Sequence, residues 1–196
     1  MATKFNYDKI FSVKSSDTPI NVVSHAKYDF AVAYPAPETL PMDGLIHSLT
    51  TAMDTNSEKV NKQMAYYPHV MGSEELRDFT SEKLKNDRGI VVDKDQIVLT
   101  NGSGEAIGLV IQALTNPGDI VLAEEFVYMG TLNQFRKFDA EVVGMKIDEE
   151  GIIPDALDQQ ISEMIALDRS PKYIYTIPEH QNPTGSSLPK HRREQI

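Results

Sequence analysis

Apolar positions along this chain follow two spacings, one near three to four residues and one in short unbroken runs, and the two alternate from residue 96 onward. Leu45, Ile46, Leu49 and Met53 predict a helix, and a second helix is predicted from Ser73 to Lys85, with Ser73 as N-cap and Glu74 and Glu75 behind it. The runs near 96–100, 120–124, 141–147 and 172–177 predict strands, and they are separated by helical patterns at 105–115, 130–138 and 154–166. Asn116-Pro117-Gly118-Asp119 punctuates the first of these helices from the second strand. Strand and helix in alternation predict an α/β fold, a mainly parallel sheet with flanking helices. The first residues read as irregular and extended, and the chain shows no internal repeat or low-complexity tract.

Composition narrows the classes of function. The 196 residues are enough for one domain, with 40% hydrophobic content and no cysteine, so no disulfide framework is available. Nineteen Lys plus Arg stand against 29 Asp plus Glu, a formal charge of -10, which disfavours non-specific nucleic-acid binding. No apolar stretch approaches the length of a membrane span, and the first twenty residues have no signal-peptide core, so the sequence predicts no membrane partner and a cytoplasmic location. The five histidines have no metal-ligand spacing.

Two segments carry candidate chemistry. In Thr100-Asn101-Gly102-Ser103-Gly104-Glu105-Ala106 a glycine turn joins the run 96–100 to a helical pattern. Free amides and the positive dipole end at a helix N-terminus hold anions, and glycine lets the backbone approach them. That makes a phosphate site one reading and an ordinary strand-to-helix connection the other. In Gln181-Asn182-Pro183-Thr184-Gly185, just past the run 172–177, Pro183 fixes its own φ and keeps Asn182 out of the helical region, so its carboxamide is a held donor rather than a loose one. A surface Asn-Pro turn is the plainer alternative.

With both segments in this order, the chain from about Phe30 to Ile196 resembles a pyridoxal-phosphate-dependent aminotransferase of class I/II, fold type I. The resemblance implies that Gly102, Ser103 and Gly104 cradle the phosphate of pyridoxal 5'-phosphate, with glycine at Gly104 where the family often has glutamine. It implies that Glu105 turns away from the phosphate. It implies that Tyr128 stacks on the pyridine ring, although Phe126 stands where the family usually has proline and a half-buried loop tyrosine is the competing reading. Asn182 would bond the phenolic oxygen and adjoin substrate, with Thr184 and Gly185 shaping the turn. Tyr67, beside the equally eligible Tyr66, would reach the cofactor phosphate of a neighbouring subunit and so implies a homodimer. Tyr34, in the Asp29–Pro37 segment, would touch substrate or simply pack.

The family's Schiff-base lysine, its acidic partner for the pyridine nitrogen and its arginine for the substrate carboxylate match no residue here: Lys172 precedes the Asn-Pro-Thr-Gly turn and Lys190 follows it too closely. The expectation is therefore an incomplete chain, inactive by itself. Residues 1–44 would form an N-terminal arm and part of a small domain, and 45–196 a large cofactor-binding domain incomplete at its C-terminus. The complete enzyme would move an amino group between an amino acid and a 2-oxo acid. Three rivals stand beside it. One is a dinucleotide site in which Glu124 grips a ribose hydroxyl, although Ile107 replaces its third glycine. Another is the aminotransferase-like effector domain of a GntR-type transcriptional regulator. The third is another fold-type-I pyridoxal enzyme such as a carbon-sulfur lyase.

Overall fold

The computed structural model describes Lys27 and residues 35–196, so Tyr34 and most of the segment around it lie outside the described residues. The backbone divides into two compact units, Met1–Leu99 and Thr100–Ile196.

In the first unit, α1 (Met42–Ala65) contains the predicted Leu45–Met53 pattern and continues past it, with a break at Asn56, whose φ of -152° and ψ of 51° leave the helical region. α2 (Glu74–Arg88) starts where its sequence predicts: the Ser73 hydroxyl accepts from the Leu76 N–H at 3.4 Å, and Glu74 and Glu75 occupy the positive end of the helix dipole. Gly89, at φ 68°, closes the helix in the left-handed conformation. Buried Arg77 donates to the Lys94 carbonyl at 2.9 Å and to Asp95 at 3.1 Å, tying α2 to a short 3-10 turn at Lys94–Gln96. The strand predicted near 96–100 does not form. Ile97 has extended backbone, φ -109° and ψ 128°, but a strand exists only as part of a ladder, and among the described residues no strand lies beside this one.

The second unit runs α3 (Ser103–Leu114), β1 (Ile120–Glu124), α4 (Met129–Lys137), β2 (Glu141–Met145), β3 (Ile147–Asp148), β4 (Gly151–Ile152), α5 (Pro154–Ala166), β5 (Pro171–Tyr175) and α6 (Lys190–Arg193). Its main sheet has the order β2-β1-β5, with both pairings parallel. β1 lies in the centre and every residue of it is buried, as a near-continuous apolar run covered on both faces should be. Side chains alternate across it. Ile120 and Leu122 join Met145, Leu157, Met164 and Leu188 in one core, while Val121 joins Ile111 and Phe135 in the other. α5 therefore covers one face and α3 with α4 the other, the layered α/β arrangement that the alternation predicts. Each fully buried side chain of this kind stabilises the fold by about 1.5–3 kcal/mol. The strand predicted at 141–147 is interrupted after Met145; Ile147 pairs instead with Ile152 in an antiparallel hairpin whose return is opened by Gly151 at φ 93°.

Arg192 clamps the end of the chain to that hairpin. Its guanidinium donates to both oxygens of Asp148, at 2.7 and 2.9 Å, and to the Ile152 carbonyl at 3.2 Å. The Arg192 hydrogen bonds, helped by the Glu150 N–H, hold the Asp148 carboxyl below its ordinary value of 3.8. A depressed carboxyl contributes stability that is complete above its unfolded-state value and drains away as pH falls through the folded-state one. Denaturant melts should therefore show Arg192→Met less stable than the natural chain at neutral pH, with the gap narrowing as pH falls below the ordinary carboxyl value of 3.8. A gap that stays constant across that fall would rule the ion pair out as its cause.

Candidate functional site

β1 and β5 are parallel neighbours, so the loops leaving their carboxyl ends emerge at one edge of the sheet, the place where open α/β sheets hold ligands. The first loop delivers Tyr128 and the second Asn182. The N-terminus of α3 adds Ser103 and Gly104. All four line one cleft of about 480 Å³, whose walls also include Ile107, Thr131, Gln134, Tyr175 and Ile177. That volume is in the range of small-molecule sites. No lysine or arginine lines it. Gly102 stands just behind as the N-cap of α3, at φ 84°, a conformation that glycine alone adopts without strain.

The mouth of α3 is open. No side chain caps the helix, its first amides have no intrahelical partner, and a Cβ built on Gly102 or Gly104 would meet nothing within 4 Å. Gln134 steadies the first turn by donating to the Gly104 carbonyl at 3.2 Å. The Glu105 carboxylate folds back to accept the Asn101 N–H at 2.5 Å, satisfying the amide just before the turn, and is not part of the cleft lining. The amides left for an external anion are those following it.

Tyr128 is the N-cap residue of α4, with its side chain about half exposed at 51%. Its ring lies over Gly130: a Cβ there would sit 2.3 Å from the ring. Gly130 is thus what allows the ring to lie against the start of α4. Asn182 is exposed, precedes Pro183 through a cis peptide bond, and among the described residues its carboxamide has no hydrogen-bond partner. Thr131 and Tyr175 pair through their hydroxyls at 3.0 Å within the wall.

One group that the motifs do not reveal holds the two loops together. Glu124 ends β1 with its side chain buried, 3% exposed. It accepts from the Thr176 hydroxyl at 2.7 Å, the Ile177 N–H at 3.3 Å and the Gln181 amide at 3.0 Å. This overturns the dinucleotide reading of Glu124: a carboxylate enclosed and already paired with three donors is not presented to a ribose. The sequence signal is a charged residue closing an otherwise apolar buried run, because buried charges are almost always paired.

Within the second unit, Lys172 and Lys190 do not line the cleft. Tyr67 belongs to the first unit and is fully exposed, as Tyr66 largely is. Lys172 is engaged with Asp119 at 2.7 Å, and Lys190 pairs with Glu194 at 3.5 Å. Among the described residues no group of three or more potential metal ligands occurs, and no helix is long and apolar enough to cross a membrane.

The Tyr128–Gly130 contact is testable. Gly130→Ala should cost less than about 1 kcal/mol in stability, because alanine favours a helix and the obstructing ring is free to swing. NMR contacts between the Tyr128 ring and the first turn of α4 should nevertheless disappear. A variant whose ring stays in place would refute the steric argument.

The chain has a consistent set of relatives. Aminotransferase class I and II is the family that matches residues 40–196. Over all of its length the chain is 30% identical to aromatic-amino-acid aminotransferase 1 of Thermococcus litoralis, covering 48% of that protein. It is 29% identical to the mitochondrial kynurenine/alpha-aminoadipate aminotransferase of Bos taurus, over 92% of this chain and 45% of that one. Among solved structures, the kynurenine aminotransferase of Pyrococcus horikoshii superposes with a TM-score of 0.85 at 26% identity, over 96% of this chain and 48% of that one. An archaeal alanine:glyoxylate aminotransferase gives 0.74 at 32% identity, over 82% of this chain and 38% of that one. The chain spans about half the length of the curated relatives it matches. The fold agrees with theirs, and the chain belongs to the class I and II aminotransferase family.

Proposed function

We propose that the complete protein is a pyridoxal 5'-phosphate-dependent aminotransferase that moves an amino group between an amino acid and a 2-oxo acid. The observation that carries this reading is the convergence of an uncapped helix N-terminus, a half-exposed tyrosine and an unpartnered carboxamide on one cleft. Two solved relatives support it: the Pyrococcus horikoshii kynurenine aminotransferase holds PMP, and the Thermus thermophilus alpha-aminoadipate aminotransferase holds N-(5'-phosphopyridoxyl)-L-leucine.

The donor set fits the group. Amides at the start of α3, with Gly102 and Gly104 leaving the space before them open, suit a phosphate. The Ser103 hydroxyl adds a further donor. Tyr128 offers a flat face to an electron-poor ring, the preferred arrangement for such a pair. Asn182 has a free donor for the phenolic oxygen, and that bond favours the ionised oxygen. When bound, the cofactor supplies the electron sink that lets an amino group leave one carbon skeleton for another. The protein's part is to hold the phosphate, keep the ring flat and fix the oxygen.

The same reading takes residues 45–196 as the start of a large cofactor-binding domain and 1–44 as an arm with part of a smaller one; the family match beginning at residue 40 supports that division. It takes Tyr34 as a substrate neighbour. It also takes the protein as a cytoplasmic homodimer in which Tyr67 reaches the partner's cofactor phosphate, a role that requires an outward-facing side chain such as Tyr67 has.

Binding of pyridoxamine 5'-phosphate, followed by its fluorescence, tests the site directly. Tyr128→Ala and Asn182→Ala should each weaken it by about three- to tenfold while leaving the weak binding of inorganic phosphate unchanged. Variants that bind the ligand as the natural chain does would refute the assignment.

A further inference from the structure

Asn182 has no side-chain partner of its own among the described residues, so its direction is set by the backbone on either side of it. Gln181, immediately before it, is 2% exposed and makes the full set of bonds that its amide allows. Nε2 donates to the Glu124 carboxylate at 3.0 Å and to the Phe126 carbonyl at 2.6 Å. Oε1 accepts from the Thr184 N–H at 2.8 Å and the Thr184 hydroxyl at 2.7 Å. The main chain is held as well: Gln181 N–H donates to the Ser186 carbonyl at 2.8 Å, and Gly185 N–H donates to the Gln181 carbonyl at 2.5 Å.

Glu124 and the Phe126 carbonyl both accept and do not donate, so together they face the NH₂ end of Gln181 and leave its oxygen for Thr184. Glu124 does not line the cleft itself. We propose that Glu124 is a positioning residue for Asn182, acting through Gln181: the carboxylate at the end of β1 locks the turn that presents the carboxamide to the ligand oxygen. This rests on the cofactor reading given above.

The test uses the 196-residue chain and two probes, pyridoxamine 5'-phosphate and its 3-deoxy analogue, which lacks the phenolic oxygen. Hydrogen exchange of the ligand-free protein is measured in parallel. The natural chain should prefer the first probe. Glu124→Gln should weaken the first probe by about tenfold and change the second by less than about twofold. In the same variant the Thr184 and Gly185 amides should exchange about tenfold faster while those of α5 keep their protection, which shows the fold intact. The exchanged pair Glu124→Gln/Gln181→Glu, which keeps one carboxylate and one amide in contact, should recover part of the lost preference.

Equal weakening of both probes, or unchanged exchange at Thr184 and Gly185, would overturn the positioning role. A natural chain that does not distinguish the two probes would overturn the assignment of Asn182 to the ligand oxygen, even if exchange at the turn accelerates. The two failures are thereby told apart.

Discussion

A carboxylate buried at the carboxyl end of a central strand governs the arrangement of this protein's cleft. Removing such a charge from water costs several kcal/mol unless donors surround it, and breaking one partner leaves the rest exposed to that cost. The donors of Glu124 come from the exit of the adjacent strand: Thr176, Ile177 and Gln181. The bonds that satisfy the charge are therefore the same bonds that join the two loops of the cleft. The loop bearing Tyr128 begins at this carboxylate, and the loop bearing Asn182 is folded against it.

The layers of the fold are legible in the sequence because burial on two faces leaves a strong mark. Ile120 to Ala123 is unbroken apolar sequence, and the structure buries it completely between α5 on one side and α3 with α4 on the other. The Ser73 cap and the Asn116–Asp119 turn are local events, decided by residues within one turn of each other, and both are visible directly. The run at 96–100 shows the limit of such reasoning. Its residues favour extended backbone, and Ile97 adopts it, but a strand also needs a neighbour, and a neighbour is not a property of the run itself.

The candidate site follows the same division. Its glycines, Tyr128 and Asn182 stand in segments whose resemblance to the family names them. The link between them cannot be named in this way, because Glu124 and Gln181 are 57 residues apart and meet only through the parallel pairing of β1 with β5. The partner of Glu105 is hidden for the opposite reason, being too local: its charge is visible in the sequence, whereas its capture by the amide four residues earlier depends on how the turn folds.

The order β2-β1-β5 leaves two outer strands in the described sheet. An outer strand presents a row of amide hydrogens and carbonyl oxygens along its far side, a template that another chain can extend. β2 opens with Glu141, paired to Arg169, and β5 with Pro171 and Lys172, so each rim carries charge or a missing donor at its start. Past those first residues β5 continues as Tyr173-Ile174-Tyr175, with no such guard. The far side of β5 is the rim of the described sheet on which a further strand would find backbone donors and acceptors.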